Sequence, residues 1–480
     1  MIYIRLFVAC LALAALYPAL DAQYLLSAEM IGQLSKSQIE AQFGYEVRTG
    51  VTMYKARYMT TGTQGQPDTA SGLIVIPDEF VVEEIPVVAY QHGTTNGPES
   101  VPSQLSGGHD LPIAFGAMGY VASATDYLGL GDSKGFHPYV HAATEASAGL
   151  DMLIATTEFL EDETGQPWLG PLFVSGYSQG GHGAAALQRE LEQNWGFVFP
   201  VTASAPMSGP YDMSGIMFDR ITSDAIYFFP AYIAYVTLGY QEIYGDLYDE
   251  VSDLFKAPYV ATIEQFYNAE ITLFELNTFM INRLFVDNLL VQPIKMLRDS
   301  VVEILRNDTL DHPIKDALAD NDLYNWTPQV PTRLLYCMAD EQVPFQNSLV
   351  ADSTMNANGA PDVKSIDIDS SQDHAGCAPL AFLEAVEFFD SFILTSDTRD
   401  LKASPPDLSI YPVPADRHLV VDPGTTDVLA VGISDLAGRQ VMQTTVTGRA
   451  TLNVADIPPG IYLLTASHGT DRFVRKIVID

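Results

Sequence analysis

The sequence predicts an α/β protein with a mostly parallel sheet and an inserted helical cap, followed by a small C-terminal all-β sandwich. Short apolar runs alternate with helical stretches over residues 72–194, an aromatic-rich helical stretch follows, and short strands with frequent turns fill residues 409–480. Alternating strands and helices are typical of a parallel sheet with helices on both faces. A chain of 480 residues is long enough for more than one domain.

The N-terminus is typical of a secretory signal peptide, predicted over residues 1–22. Arg5 precedes an apolar run over residues 6–16, and a small-residue stretch ends at Ala22. The apolar run is shorter than the roughly 20 residues of a spanning helix, and Pro18 follows it closely. We therefore expect no transmembrane segment in the mature chain.

The first large domain is predicted over residues 23–395. Its expected strands cover residues 72–76, 85–90, 172–174, 332–336 and 363–369, and its expected helices cover residues 145–160, 180–194 and about 380–392. Residues 211–329 interrupt this alternation and are predicted to form the helical cap. We expect most cap aromatics, such as Tyr227, Phe228 and Tyr235, to pack in its core rather than against a ligand.

A linker and a second domain follow. Residues 396–408 are rich in Ser, Asp and Pro, and the pair Pro405-Pro406 cannot continue a helix. Residues 409–480 contain short alternating segments, with strands expected near residues 419–421, 428–433, 450–454 and 461–466. This pattern predicts a small β-sandwich.

Charge excludes one class of partner. The chain has 24 Lys and Arg residues against 60 Asp and Glu residues, for a formal net charge of −36. Such a field repels phosphate backbones, so we expect no nucleic-acid partner.

The loop at residues 126–133 contains two acids and two glycines but is not expected to bind a metal or a phosphate group. It has neither the Lys and Ser/Thr spacing of a phosphate-binding loop nor the further ligands that a metal shell requires. We therefore expect no cofactor and no metal.

A candidate nucleophile follows the predicted strand at residues 172–174. Residues 176–180 read Gly-Tyr-Ser-Gln-Gly, which is a Gly-x-Ser-x-Gly pattern between a strand and a helix. Small flanking residues permit a sharp, strained turn, and the helix N-terminus favours developing negative charge on Ser178. A serine hydroxyl alone is a weak nucleophile, so this hypothesis requires a base and an orienting acid.

Chain order restricts the choice of acid and base, because nucleophile, acid and histidine follow one another in this arrangement. Asp340 lies just beyond a predicted strand and is the expected acid, with neighbouring Glu341 as the alternative. His374 is the histidine that remains between the acid and the C-terminal module. His182 is a rival base one helical turn after Ser178, but we expect it to pack behind the nucleophile helix.

The expected oxyanion donors are two backbone N–H groups. One belongs to Gln179, directly after the nucleophile, and the other to Thr94 in the loop after an early strand. His92 in the same loop is expected to be structural.

The two cysteines of the mature chain are candidates for a disulfide. Cys337 precedes Asp340 by three residues and Cys377 follows His374 by three residues. A disulfide between them would tie together the two loops that carry the expected acid and base.

These motifs together resemble the α/β-hydrolase superfamily, and within it the secreted lipase and esterase group with a large helical cap, similar to the fungal lipase A type. The resemblance covers residues 24–394 and includes the segments 176–181, 126–133, 340–344 with His374, and 208–211. It implies hydrolysis of small-molecule or lipid esters by Ser178, Asp340 and His374, through an acyl-enzyme and without a cofactor. The alternatives are a serine peptidase of the same fold that cleaves short peptides, and a catalytically inactive surface-binding protein.

The tail resembles the type A sorting domain of the type IX secretion system. Matching segments are residues 435–439, 459–462 and 476–478, and residues 411–415 read Tyr-Pro-Val-Pro-Ala where that family usually has Tyr-Pro-Asn-Pro. The resemblance implies that the secretion machinery is a partner and that the mature protein is extracellular or attached to the cell surface. A carbohydrate-binding β-module is the alternative interpretation.

Overall fold

The computed structural model describes residues 23–80, 84–165, 168–307, 309–393, 409–411, 415, 417–422, 428–435, 440–455, 457–468 and 471–479. The predicted signal peptide at residues 1–22 and the predicted linker at residues 396–408 lie outside these ranges. The chain divides into two compact units, of which the first ends at Phe392 and the second begins at Ile393.

The first unit is built on a nine-stranded sheet in the order β1-β2-β3-β5-β4-β6-β7-β8-β9. The strands are β1 (Leu25–Leu34), β2 (Val51–Thr61), β3 (Pro67–Pro77), β4 (Val87–Gln91), β5 (Val121–Thr125), β6 (Leu172–Tyr177), β7 (Val201–Met207), β8 (Thr332–Tyr336) and β9 (Val363–Asp367). Strands β5, β4, β6, β7, β8 and β9 are parallel, while β1, β2 and β3 add antiparallel pairs at one edge. The predicted α/β fold with a mostly parallel sheet is confirmed.

The central strands show why short apolar runs predict the sheet. Every residue of β4 and β6, which the sequence predicts, is buried. Strands covered on both faces read as continuous apolar runs rather than as alternating ones. Their carboxyl ends meet at one edge of the sheet, where the candidate site lies.

Thirteen α-helices are present in the described ranges. They are α1 (Lys36–Phe43), α2 (Asp110–Ala117), α3 (Ala142–Thr164), α4 (Gln179–Glu190), α5 (Phe218–Thr222), α6 (Ala231–Tyr244), α7 (Val251–Leu254), α8 (Ala257–Tyr267), α9 (Leu273–Asn288), α10 (Asp299–Leu305), α11 (Pro313–Asp320), α12 (Gln346–Ala357) and α13 (His374–Ile393). No helix within the described part of the chain is long and apolar enough to cross a membrane.

Helices α5 to α11 fill the interval between β7 and β8 and form the cap. The cap has its own core, which includes the buried side chains of Ile263, Leu276 and Met280. Tyr235 is buried in this core, whereas Phe228 is exposed at the surface.

The second unit contains two antiparallel sheets. Strands β10 (Ser409–Tyr411), β11 (His418–Asp422) and β14 (Ala450–Asn453) form one, and β13 (Gln440–Thr447), β12 (Val428–Asp435), β15 (Gly460–His468) and β16 (Asp471–Ile479) form the other. One apolar core joins both sheets, with Leu419 and Val421 from the first and Ile433, Leu464 and Ile477 from the second. The predicted small β-sandwich is therefore present.

Candidate active site

Ser178 occupies a strained turn between β6 and α4. Its backbone angles are φ 62° and ψ −122°, in a region that residues with side chains rarely adopt. The Ser178 N–H donates to the carbonyl oxygen of Met207 at 2.9 Å, which fixes the turn against the end of β7. The turn therefore presents Ser178 at the N-terminus of α4.

The glycines of the motif are required by close backbone approach. A Cβ atom added to Gly176 would lie 2.1 Å from the carbonyl oxygen of Gly180, and one added to Gly180 would lie 1.9 Å from that of Gln91. Neither distance is possible for a real side chain. The sequence pattern around Ser178 therefore follows from how tightly β6, α4 and the end of β4 pack.

Asp340 and His374 form a buried pair. His374 Nδ1 lies 2.6 Å from Asp340 Oδ2. The other carboxylate oxygen accepts the N–H groups of Gln342 at 2.9 Å and Val343 at 2.8 Å, so the carboxylate is held in place. With Nδ1 facing the carboxylate, Nε2 is the ring nitrogen that can act as a base.

Glu341 contacts the backbone of His374 rather than its ring. Glu341 Oε2 accepts the His374 N–H at 2.9 Å. Tyr177, directly before Ser178, also contacts the histidine, because its hydroxyl donates to the His374 carbonyl and the two ring centroids are 5.0 Å apart. Tyr177 thus connects the nucleophile turn with the histidine, a role that the sequence pattern does not reveal.

The start of the last helix differs from the expectation. The sequence predicts a loop at His374 and a helix from about residue 380, but α13 begins at His374 and continues through Pro379. Proline inside a helix removes a backbone hydrogen bond, which is why the pattern favours a later start. His374 therefore lies at the start of a helix rather than in a loop.

Cys337 and Cys377 are joined by a disulfide, with Cα atoms 5.9 Å apart. Cys337 directly follows β8 and Cys377 lies in the first turn of α13. The disulfide therefore connects the segment that carries Asp340 to the helix that carries His374.

Removing this disulfide is expected to lower the free energy of unfolding by about 4 kcal/mol, because the bond closes a loop of 40 residues in the unfolded chain. The double variant Cys337→Ala, Cys377→Ala would be compared with the parent chain by urea unfolding. A reductant should destabilise the parent and leave the double variant unchanged. Equal stability of parent and variant would contradict this prediction.

The loop after β4 packs directly against the nucleophile turn. A Cβ atom added to Gly93 would lie 3.0 Å from the Tyr177 carbonyl oxygen and 3.6 Å from Ser178 Cβ. The next residue, Thr94, is fixed by a 2.7 Å hydrogen bond between its hydroxyl and that of Tyr139. The structure therefore brings residue 94 close to the first turn of α4, whose first N–H groups have no partner within the helix.

His92 is buried beneath this loop. Its ring nitrogens face the carbonyl oxygens of Gly93 at 2.7 Å and Asp126 at 3.3 Å. Burial lowers the pKa of His92. These contacts support the loop from inside.

His182 lies behind α4. Its Nδ1 is 2.6 Å from Glu145 Oε2 and its Nε2 is 3.0 Å from the Asn321 carbonyl oxygen, and the side chain is completely buried. Both ring nitrogens are therefore engaged away from the nucleophile.

The acidic loop at residues 126–133 is tied to the sheet and its surroundings. Asp126 is buried and accepts hydrogen bonds from the Ser71 hydroxyl at 2.6 Å and the Ser103 N–H at 3.0 Å. Asp132 pairs with Lys55 and Arg57. Across the described ranges, no group of three or more His, Cys, Asp or Glu side chains is arranged to hold a metal ion.

Ser178 and Gln179 form part of the wall of a cavity that extends into the cap. The rest of the wall is mainly apolar, and most of it comes from the cap, with further residues from the segments before α3, after β7 and after β8: Tyr139, Val140, Pro210, Met213, Met217, Phe218, Ile221, Thr222, Tyr227, Tyr232, Ile233, Val236, Thr237, Leu254, Leu297, Val301, Leu305, Ile314, Leu318 and Val343. No carboxylate is among these lining residues in the described part of the chain.

Three solved structures of similar architecture are an esterase, a putative hydrolase and a lipase. The rice cell wall degrading esterase LipA from Xanthomonas oryzae is 26% identical, with a TM-score of 0.67 over 78% of this chain and 99% of that chain. A putative hydrolase from Legionella pneumophila is 25% identical, with a TM-score of 0.68 over 77% of this chain and 98% of that one. Candida antarctica lipase A shares the fold at 15% identity, with a TM-score of 0.55 over 74% of this chain and 78% of that chain.

The tail matches a different family. Residues 409–480 match the model of a secretion system C-terminal sorting domain. A search of the curated proteins by sequence gives no match. The chain therefore has the fold of the capped esterases and lipases and ends in a secretion sorting domain.

Proposed function

We propose that this protein is a secreted serine hydrolase that cleaves carboxylic esters with apolar acyl groups. The observation that carries the proposal is the position of Ser178, which lies on a strained turn and forms part of the wall of an apolar cavity. The buried pair of His374 and Asp340 and the similarity to LipA support it. The proposal includes the removal of residues 1–22 and export directed by residues 409–480 through type IX secretion machinery.

Each group has a defined role in the proposed reaction. His374 Nε2 accepts the proton of the Ser178 hydroxyl while Oγ attacks the ester carbonyl carbon, and Asp340 stabilises the resulting imidazolium. The tetrahedral oxyanion binds the backbone N–H groups of Gln179 and Thr94. His374 then donates its proton to the leaving alcohol, which gives an acyl-Ser178 ester. Water attacks this ester with the same histidine as base, releasing the acid and restoring the serine.

The cavity favours an apolar acyl group over a peptide. A long hydrocarbon chain would bury its surface against the cap core, at roughly 0.8 kcal/mol for each methylene removed from water. A peptidase that captures a charged N-terminus requires a carboxylate near the nucleophile, and the lining contains none in the described residues. An inactive binding protein would have no need for the hydrogen-bonded histidine and aspartate.

Filling the cavity is expected to change chain-length preference. Val301→Trp places a large side chain in the cavity wall, whereas Val302→Trp alters the neighbouring residue of α10, which is absent from the lining. With p-nitrophenyl esters from acetate to palmitate, Val301→Trp should lower the palmitate-to-acetate ratio of kcat/KM by about tenfold or more.

The Val302→Trp variant serves as the control and should keep the wild-type ratio. Because the ratio compares two substrates on one preparation, partial loss of folded protein does not affect it. An unchanged ratio in Val301→Trp would show that the acyl chain binds elsewhere.

A further inference from the structure

The side chain of Gln179 is held in place by two groups upstream in the chain. Gln179 is 3% exposed, and its Nε2 lies 3.0 Å from Glu145 Oε1 and 2.8 Å from His137 Nε2. Glu145 is in the first turn of α3, and His137 lies in the segment before that helix. Gln179, directly after the candidate nucleophile, is therefore held by α3 and by the segment before it, as well as by its own helix.

The hydrogen-bond directions of this contact are determined by His137. Its Nδ1 faces the carbonyl oxygen of Leu128 at 2.8 Å, and a carbonyl can only accept, so Nδ1 carries the hydrogen. Burial lowers the pKa of His137 to about 3, so the ring is neutral and Nε2 is a bare acceptor. The Gln179 amide accordingly donates one hydrogen to His137 and the other to Glu145.

Glu145 is a buried carboxylate whose negative charge is compensated on the side that faces away from Gln179. Its second oxygen lies 2.6 Å from His182 Nδ1, and His182 Nε2 faces the Asn321 carbonyl oxygen at 3.0 Å. Two acceptors on one imidazole require a proton shared between His182 and Glu145. An unpaired anion at this depth would oppose negative charge developing on the substrate oxygen, and this shared proton offsets it.

We propose that Glu145 and His137 are positioning residues of the oxyanion site, because they fix the Gln179 side chain and through it the backbone N–H that receives the oxyanion. The inference rests on the proposed function, since it assigns a role within the same reaction. Neither Glu145 nor His137 is among the residues that line the cavity in the described part of the chain. Both residues act by orienting Gln179, the first residue of α4. A displacement of a few tenths of an ångström there weakens a hydrogen bond to the transition state.

The test compares four variants by steady-state ester hydrolysis and by the rate at which a fluorophosphonate labels Ser178. Glu145→Gln keeps an acceptor for Gln179 and a donor for neutral His182, so its kcat should stay close to that of the wild type. Glu145→Met removes the acceptor and should lower kcat by about 10- to 100-fold with unchanged KM. Gln179→Met and the double variant Glu145→Met, Gln179→Met should share one reduced kcat, because Glu145 acts through Gln179.

Asp151→Leu is the matched control, since Asp151 lies on the same helix and accepts a hydrogen bond from the Thr60 hydroxyl, remote from Gln179. It should keep the wild-type kcat whatever its effect on stability. If Glu145→Met does not fold, His137→Phe removes the other acceptor and takes its place in the series.

Two results overturn the inference alone: a wild-type kcat in Glu145→Met, or independent losses that multiply in the double variant. If the wild-type chain hydrolyses no ester but Ser178 reacts with the fluorophosphonate, the proposed function fails and the labelling rates still decide the inference. A wild-type chain that shows neither reaction overturns both.

Discussion

Replacing Ser178 by alanine is expected to lower kcat for p-nitrophenyl ester hydrolysis by about 10⁶-fold. Without the hydroxyl no acyl-enzyme forms, and His374 has no proton to accept. The fold should persist, because the Ser178 turn is held by its backbone hydrogen bond to Met207 and by the glycines around it. The measurement is kcat for wild type and variant under saturating substrate, with circular dichroism to compare their folding.

Ser175→Ala is the matched control. Ser175 lies three residues earlier in β6, and its hydroxyl donates to the Ala205 carbonyl oxygen at 2.8 Å within the sheet. Its loss should cost stability of about 1 kcal/mol while leaving kcat unchanged. Retained hydrolysis in Ser178→Ala would assign the reaction to another nucleophile.

The second large effect is expected for Asp340→Asn, which should lower kcat by about 10⁴-fold. The new side chain would have nearly the same shape, but its neutral amide could not stabilise an imidazolium and would favour the wrong tautomer of His374. The two backbone N–H groups that bind Asp340 Oδ1 at 2.8 and 2.9 Å would direct the amide oxygen towards themselves and its NH₂ group towards the histidine. KM should change little, because Asp340 is absent from the cavity lining.

Glu341→Gln tests whether the charge beside the His374 backbone matters as much as the charge of Asp340, which faces the His374 ring. Glu341 accepts the backbone N–H of His374, and a glutamine oxygen can accept the same bond. The loss in kcat should therefore be far smaller than for Asp340→Asn. If the two variants lose activity equally, the orienting role could not be assigned to Asp340 alone.

Much of the fold is predictable because its strongest signals are local. The buried strands β4 and β6 read as apolar runs. The glycines around Ser178 are dictated by close backbone approach, because a Cβ atom added to Gly176 or Gly180 would lie 2.1 or 1.9 Å from a backbone carbonyl oxygen. Strand β1 is not predicted, because it lies at the sheet edge with a largely exposed surface and two irregularities in its register. Edge strands of this kind carry little apolar alternation.

The candidate site is predictable only where chain order restricts the choices. Order favours Asp340 and His374, and Cys337 and Cys377 lie symmetrically around them in the sequence. The contacts of Glu145 with Gln179 and His182 join residues 34 and 37 positions apart, and no short motif encodes such pairings. The sequence does not show that Glu145 is buried or which side chains it contacts. Only the three-dimensional packing shows both.

The assignment of Ser178 as the nucleophile is tested most directly by locating the covalent adduct that a fluorophosphonate forms with the full-length protein. After digestion and mass spectrometry, we expect a single modified site at Ser178 and complete loss of labelling in Ser178→Ala. Labelling should also be much slower in His374→Ala, because the hydroxyl then lacks its base. An adduct on a different residue, or a wild-type protein that does not react, would contradict the assignment of Ser178 as the nucleophile.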